Sequence, residues 1–288
     1  MSESLPAWIR TRLGDRTPGS GTGRVLHALA THPRKMSFAS TAEAAALAGV
    51  NAATVVRAAQ LLGFGGWPQL RAEVRSRFLS GLSASAVLAE HAPTDEGPVG
   101  SSLRRDIQNL HDLALLIDDA QIERVARLMF DARVTVVLGS GSYAGPGIQL
   151  SHLAQLIGHD VRLHQVAGTG LYNAVNLLGP QDCLVAFHLW RSPWEVINAV
   201  RTAAAAGVRV VLVSDQTDEV SALADEVLLV PSEGASMFPS LTATTTVVQA
   251  VFAAMVAVDP AGAAAATDRV EEIWRRYSLF PERSSKPQ

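Results

Sequence analysis

Residues 40–67 of this 288-residue chain read STAEAAALAGVNAATVVRAAQLLGFGGW. Their apolar spacing predicts two short helices, over Thr41–Leu47 and from Asn51 to about Leu62. Gly49 supplies a tight turn between them. Ser40 or Thr41 can cap the first helix and Asn51 the second, because these side chains accept hydrogen bonds from the unpaired N–H groups at a helix start. Two short helices joined by a glycine turn are typical of a helix-turn-helix.

The second of these helices is expected to enter the major groove of DNA. Its apolar stripe, which should pack on the rest of the domain, consists of Val55, Ala58, Ala59 and Leu62. The outward positions, which we predict to contact DNA, are Asn51, Ala53, Thr54, Arg57 and Gln60. Arg57 can reach a phosphate or a guanine edge. The alternative is an ordinary two-helix hairpin within a helical bundle.

The charge distribution favours the DNA-binding interpretation. Residues 1–80 contain ten Arg and Lys against four Asp and Glu, whereas residues 81–288 contain fourteen against twenty-three. The net charge is therefore +6 in the first segment and −9 in the second, within an overall charge of −3. A basic segment joined to an acidic one suits a DNA-binding domain attached to a domain of another kind.

Composition also bounds the setting of the protein. Cys183 is the only cysteine and lies in the apolar run CLVAF, so we expect a buried core thiol and no intramolecular disulfide. The apolar stretch Val247–Val258 is too short to span a bilayer, and the N-terminus lacks the apolar core of a signal peptide. We therefore expect a cytoplasmic protein without a membrane segment. The histidine spacing suggests no metal site, and we expect no cofactor and no catalytic residue.

Pattern changes divide the chain into two predicted domains. Residues 1–80 should form an all-α domain, with further helices over Trp8–Leu13, Arg24–Thr31 and Trp67–Phe78 and a loop between the first two of these helices. A polar stretch containing Pro93, Gly97 and Pro98 marks a linker over 81–102. Residues 103–288 form the second domain, which begins with two helical pieces over Leu103–Asp131.

The second domain has the pattern of an α/β protein. Five apolar, β-branched runs follow Arg133, reading VTVVL, VRLHQV, CLVAFHL, VRVVLV and EVLLVP. Ala- and Leu-rich helical stretches separate them, and a last helix covers Asp259–Tyr277. Strands that are apolar throughout and alternate with helices predict a five-stranded parallel sheet covered on both faces.

The first domain resembles the N-terminal domain of RpiR-type regulators, and Val134 to about Val258 resembles a SIS (sugar isomerase) domain. The residues that carry the first resemblance are Ala42, Ala45, Ala48-Gly49-Val50, Ala53-Thr54-Val55-Val56-Arg57, Leu62-Gly63-Phe64 and Gly66-Trp67-Pro68-Gln69-Leu70. The resemblance implies a dimeric or tetrameric transcription regulator that binds operator DNA. It also implies control by a phosphosugar or a related metabolite.

The loop Gly139–Ala144, which reads GSGSYA, follows the first strand and formally matches a dinucleotide-binding fingerprint. That site also requires an acidic residue at the end of the second strand, which instead ends in Leu163-His164-Gln165. A nucleotide P-loop fails because no Gly-Lys-Ser/Thr follows. The resemblance to SIS domains instead predicts a ligand at the ends of the strands, where Glu195 could act as a base in an isomerase or simply start a helix.

Three loops are predicted to line this ligand site, and they depart from the SIS pattern. The predicted contacts are Ser140, Ser142, Tyr143, His188, Trp190, Arg191, Ser192 and Ser236. Tyr143 stands where the family has a serine, and residues 188–193 replace its S-x-S-G-x-T loop. Arg191 could clamp a phosphate or carboxylate, and Trp190 could cover a sugar.

Two of these loops also have a structural alternative. Trp190 and Arg191 could pack against a neighbouring subunit, and His188 could be a hydrogen-bonded residue at a strand end. Ser236 or Ser240 could cap the following helix.

Two functions from different classes remain open on the sequence. The favoured one is a regulator that binds double-stranded operator DNA and senses a small anionic sugar phosphate or related carbohydrate metabolite. We expect a homodimer or tetramer, with Leu103–Leu116 and Leu241–Val258 pairing across a two-fold axis. The alternative is a SIS-fold sugar-phosphate isomerase or lyase with an appended helical domain.

Overall fold

The structure is a computed structural model that describes residues 4–90, 97–165 and 167–281. Part of the predicted linker (91–96), the end of the second predicted strand (166) and the terminal residues 1–3 and 282–288 lie outside the described residues. The two parts of the chain have the architectures expected of them. Among the described residues, the first part (residues 4–80) contains helices and no strand, and the second part is built around a parallel β-sheet.

The first part packs six helices around one core. They are α1 (Leu5–Leu13), α2 (Ser20–Thr31), α3 (Pro33–Phe38), α4 (Thr41–Ala48), α5 (Ala52–Leu61) and α6 (Trp67–Ser80). Leu29, Met36, Leu62 and Trp67 are fully buried in this core. The Trp67 indole N–H donates to the carbonyl of Ala39 at 2.9 Å, which satisfies the one polar atom of that side chain.

The helix-turn-helix of α4 and α5 is confirmed in its local detail. Ser40 and Glu43 form a reciprocal capping box at the start of α4. Gly49 ends α4 with φ 62°, a left-handed conformation that favours glycine. Asn51 caps α5, because its side-chain oxygen accepts the Thr54 backbone N–H at 2.9 Å.

One expectation for the first part is wrong, and one of its helices was not predicted. Helix α2 begins at Ser20 rather than Arg24, so it includes glycines that we expected in a loop. A side chain at Gly21 would lie 3.1 Å from Thr54 Cγ2, so this glycine allows α2 to approach α5 closely. Helix α3 was not predicted. Pro33 fits the first turn of a helix, where no N–H is needed, and α3 buries Met36 completely.

Helices also occupy parts of the predicted linker. They are α7 (Ala84–Glu90) and the first turns of α8 (Gly97–Leu116), which precedes α9 (Asp119–Asp131). The expectation of an irregular segment is therefore wrong for these residues. Val87 is buried, and Pro98 is tolerated in the first turn of α8 because the N–H groups there lack partners within the helix. The domain boundaries themselves stay predictions.

The second part is a five-stranded sheet in the order β2-β1-β3-β4-β5, with every neighbouring pair parallel. Its strands are β1 (Thr135–Leu138), β2 (Val161–His164), β3 (Cys183–His188), β4 (Arg209–Ser214) and β5 (Glu226–Leu229). Its remaining helices are α10 (Ala144–Leu156), α11 (Thr169–Asn176), α12 (Trp194–Ala205), α13 (Thr242–Val258) and α14 (Pro260–Arg276). This is the α/β class that the sequence predicted.

Two apolar cores cover the faces of the sheet. Phe187 and Val211 face one core, and Leu184 and Leu212 face the other. Cys183 is buried at the start of β3, where burial and then the charge of Asp225 raise its pKa to about 12. The expected core thiol is therefore confirmed. Within the described ranges, no single helix is both long enough and apolar enough to cross a membrane.

Candidate functional site

The outward face of α5 carries most of the residues that we predicted to contact DNA. Asn51, Ala53, Arg57 and Gln60 are exposed. The predicted packing stripe is buried, since Val55, Ala58, Ala59 and Leu62 are all inaccessible to solvent. Helix α5 therefore presents one polar face to solvent and packs with the other, as a recognition helix must.

The structure contradicts the outward placement of Thr54. Only 7% of Thr54 is exposed, and its methyl group faces the backbone of Gly21. Its hydroxyl bonds Asn51 Oδ1 at 2.9 Å and accepts from Arg57 Nη2 at 2.8 Å. Thr54 therefore orients two exposed neighbours.

The basic residues of the first part fall into two groups, one buried in ion pairs and one exposed to solvent. Arg75 and Arg77, on α6, are almost fully buried in ion pairs. Arg75 binds Asp112 of α8 at 3.1 Å and Glu233, after β5, at 3.0 Å. The exposed cations of this part are Arg10, Arg16, Arg24, Arg34, Lys35 and Arg57, and of these Arg34 pairs with Glu90 at 2.5 Å. The net charge of +6 counted over residues 1–80 is therefore larger than the positive charge available on the DNA-facing side.

Asp215, which follows β4, joins the loops at the carboxyl edge of the sheet. It accepts the Trp190 backbone N–H, 3.1 Å from each carboxylate oxygen, and the Ser232 hydroxyl at 2.6 Å. Desolvation raises the pKa of Asp215, and these hydrogen bonds act against it. Trp190 has φ 55°, which is unusual for a residue with a side chain. The bond to Asp215 therefore holds a strained turn after β3.

His188, at the end of β3, lies between a hydroxyl and a carboxylate. Its Nδ1 is 2.7 Å from Ser192 Oγ, and its Nε2 is 2.8 Å from Asp218 Oδ2. Burial by itself raises the pKa of Asp218, but hydrogen bonds from His188 and from the Ser221 and Val220 N–H groups lower it overall. This arrangement supports the hydrogen-bonded alternative for His188 and ties the loop after β3 to the loop after β4.

The Arg191 side chain contacts backbone carbonyl groups of the same chain. Its Nε donates to the carbonyl of Ser80 at 3.1 Å, and Nη2 donates to the carbonyl of Leu82. Its guanidinium carbon lies 5.1 Å from the centroid of the Trp190 ring. The neighbouring surface that Arg191 contacts therefore belongs to the end of α6 in the same chain.

The loop after β1 is shaped by glycine. A side chain at Gly139 would lie 2.6 Å from the Tyr143 carbonyl, and Gly141 has φ 59°. Ser142 is exposed and Ser140 half-buried, so both hydroxyls remain near solvent. Tyr143 is buried in the core, where burial and then the charge of Asp215 raise its pKa. Tyr143 therefore packs in the core, and its role as a ligand contact stays a prediction.

Two cavities lie beside these loops. One of about 50 Å³ separates Glu73 and Ser76 of α6 from Trp190 and Asp215. The other, of about 780 Å³, lies between the start of α8 and the loop after β5. Ser236 lines both cavities and Trp190 the smaller one. The remaining predicted contacts, which line neither, are Ser140, Ser142, Tyr143, His188, Arg191 and Ser192.

Sequence reasoning missed the acidic side of this edge. Asp215, Thr217 and Asp218 come from the run SDQTDE directly after β4, a position where parallel sheets bring functional loops together. The position of these residues directly after a strand of a parallel sheet is the sequence signal that could have identified them. No group of three or more metal-ligating side chains occurs within residues 4–90, 97–165 and 167–281.

Comparisons with known proteins agree with this two-part architecture. Residues 22–81 match the family described as "Helix-turn-helix domain, rpiR family". A comparison with curated proteins finds no match.

Two solved structures are similar in fold. One is the sugar isomerase domain of an RpiR transcription factor from Sphaerobacter thermophilus, at 23% identity and a TM-score of 0.59, covering 62% of this chain and 99% of that one. The other is the Vibrio vulnificus NanR protein complexed with ManNAc-6P, at 17% identity and a TM-score of 0.57, covering 96% of this chain and 100% of that one.

Proposed function

Residues 22–81 match the helix-turn-helix domain of the rpiR family, and on that premise we propose that the chain is a transcription regulator that binds double-stranded operator DNA. The observation that carries this proposal is the exposed face of α5. Asn51, Ala53, Arg57 and Gln60 lie outward on a short helix that is capped, preceded by a glycine turn and packed on its other side. Such a helix can enter the major groove without rearrangement.

The sugar isomerase fold of the second part supports a sensing role for it. We propose that a small anionic carbohydrate, such as a sugar phosphate, binds at the carboxyl edge of the sheet. The hydroxyls of Ser140 and Ser142 and the guanidinium of Arg191 can donate hydrogen bonds to an anion there. The related fold of the Vibrio vulnificus protein complexed with ManNAc-6P supports this class of ligand.

Helix α8 supports the proposal of a homodimer. Val99, Leu103, Ile107 and Leu110 form one exposed apolar stripe on it. Helix α13, the other predicted pairing surface, buries Val247, Val251 and Met255 inside its own chain, so its apolar side is not available. We therefore assign the two-fold contact to α8. Pairing two recognition helices would match a palindromic operator.

The enzyme alternative makes a different prediction. A sugar-phosphate isomerase would turn over an aldose or ketose phosphate, whereas a regulator binds its ligand without chemical change. We propose a non-enzymatic regulator that acts in the cytoplasm. Incubating the purified chain with sugar phosphates and following aldose–ketose conversion tests this directly, and conversion above background would favour the isomerase.

The DNA-binding proposal is tested with the full-length chain. Fluorescence anisotropy should show tight binding to a duplex taken from upstream of its own gene and weaker binding to a scrambled duplex of equal length. The affinity should fall steeply with salt, because binding to phosphates releases counterions. Equal affinity for both duplexes at every salt concentration would show that no operator is read.

A further inference from the structure

Thr217, in the loop after β4, is held by three side chains of the DNA-binding part. Its backbone N–H donates to both carboxylate oxygens of Glu73, at 2.9 and 3.0 Å, and its hydroxyl donates to Glu73 Oε1 at 3.0 Å. Arg77 donates to its carbonyl oxygen. Arg12 of α1 donates to its hydroxyl oxygen at 2.8 Å. A single residue of the second part thus forms hydrogen bonds with side chains of both α1 and α6.

The loop after β3 holds the same helix at its other end. Arg191 donates to the carbonyls of Ser80 and Leu82, where α6 ends and its last carbonyl groups lack helical partners. Helix α6 is therefore attached at its middle by Thr217 and at its end by Arg191. Such two-point attachment restricts both the position and the rotation of the helix.

The two holding loops are also joined to each other. His188 bonds Asp218, the residue next to Thr217, at 2.8 Å. The Trp190 N–H, next to Arg191, bonds Asp215. A displacement of either loop must therefore break these bonds or carry the other loop with it.

We propose that the contacts of Arg191 and Thr217 with α6 form a latch, which docks the DNA-binding domain on the edge of the sheet. An anionic effector opens this latch by binding the Arg191 guanidinium. The proposal rests on the proposed function and specifies how ligand binding at that site acts on the DNA-binding domain. Arg191 now donates to neutral carbonyl groups. A phosphate or carboxylate adds the Coulomb attraction of its negative charge and can accept two parallel hydrogen bonds from the guanidinium. The anion therefore competes with α6 for the same guanidinium.

The Thr217 amide proton reports directly on the latch. Its N–H donates across the domain contact to Glu73, so its hydrogen exchange accelerates when the contact opens. The Val220 N–H, in the same loop, donates to Asp218 Oδ1 at 2.9 Å and serves as an internal reference. Exchange at both amides can be followed by NMR on the intact chain without DNA.

We expect Arg191→Ala to accelerate exchange at Thr217 by about tenfold and to leave Val220 unchanged, because a lost charged hydrogen bond shifts the opening equilibrium by roughly that factor. Glu73→Ala should accelerate Thr217 further. Arg209→Ala is the matched control, since Arg209 pairs with Asp225 at the opposite edge of the sheet. Protection of Thr217 in Arg191→Ala equal to that in the wild type would overturn the latch.

Inorganic phosphate provides the ligand arm, with chloride at matched ionic strength as its control. Phosphate should accelerate Thr217 exchange in the wild type and have no effect in Arg191→Ala. An equal response in both proteins, or none in the wild type, would overturn the competition for Arg191. DNA titrations keep the two proposals apart: a working latch in a chain without operator selectivity refutes only the regulator, and the converse refutes only the latch.

Discussion

The carboxylate of Glu73 accepts the backbone N–H of Thr217 at 2.9 Å, across 144 residues of chain. Glu73 is 3% exposed, and burial raises its pKa against the opposing effects of Arg77 and Thr217. A carboxylate in such a place is costly unless it is paired. Its pairing with Thr217 and Arg77 therefore makes the contact between the two parts specific.

Arg57→Ala should weaken operator binding by about 1–3 kcal/mol if Arg57 reads a base edge. Fluorescence anisotropy with the upstream duplex measures this change. Arg124→Ala is the control, because Arg124 is also exposed but pairs with Glu226 in the second part. A folded Arg57→Ala protein with wild-type affinity would remove Arg57 from the DNA-reading face.

Asn51 should have two separable roles. Asn51→Ala removes the cap of α5 and should lower the free energy of unfolding by about 1 kcal/mol. Asn51→Asp keeps a capping oxygen and should retain stability, yet place a negative charge beside DNA and weaken binding. Urea denaturation and anisotropy measure the two effects. Undiminished DNA affinity of Asn51→Asp would indicate that the start of α5 points away from DNA.

Asp218→Asn should destabilise the protein by about 1 kcal/mol near neutral pH. The folded pKa of Asp218 lies below its ordinary value of 3.8. Its ionised form therefore stabilises the fold above that value, and this stabilisation is lost as pH falls through the lowered pKa.

Urea titrations between pH 7 and pH 3 should accordingly show the wild type and Asp218→Asn converging in acid. Asp268→Asn, on an exposed position of α14, serves as the control and should show little difference at any pH. A stability difference for Asp218→Asn that stays constant down to pH 3 would exclude the charge-stabilised hydrogen bond to His188.

Ile107→Glu should convert a dimer into a monomer, because Ile107 is 66% exposed in the middle of the apolar stripe of α8 and burying a charge in an isologous contact is unfavourable twice. Leu177→Glu is the matched control, since Leu177 is 75% exposed at the end of α11. Light scattering measures both masses. Dimers that persist in Ile107→Glu would place the two-fold contact elsewhere.

The helix-turn-helix and the five strands could be predicted from the residues because their causes are local. Ser40 and Asn51 cap adjacent helices, and Gly49 turns the chain within the same short stretch. The apolar runs of the strands likewise mark burial on both faces. Helix α3 could not be predicted in this way, because its stability depends on burying Met36 against distant helices.

Residue chemistry alone indicated that Arg191, His188 and Ser192 belong to one edge of the sheet, since the topology of parallel strands places their loops there. Only the packing of the two parts decided what these side chains contact. The Arg191 guanidinium donates to carbonyl groups more than 100 positions earlier in the chain, and Glu73 accepts from Thr217, which lies 144 positions later. Such bonds depend on how whole domains dock, and neither partner's local sequence specifies that geometry.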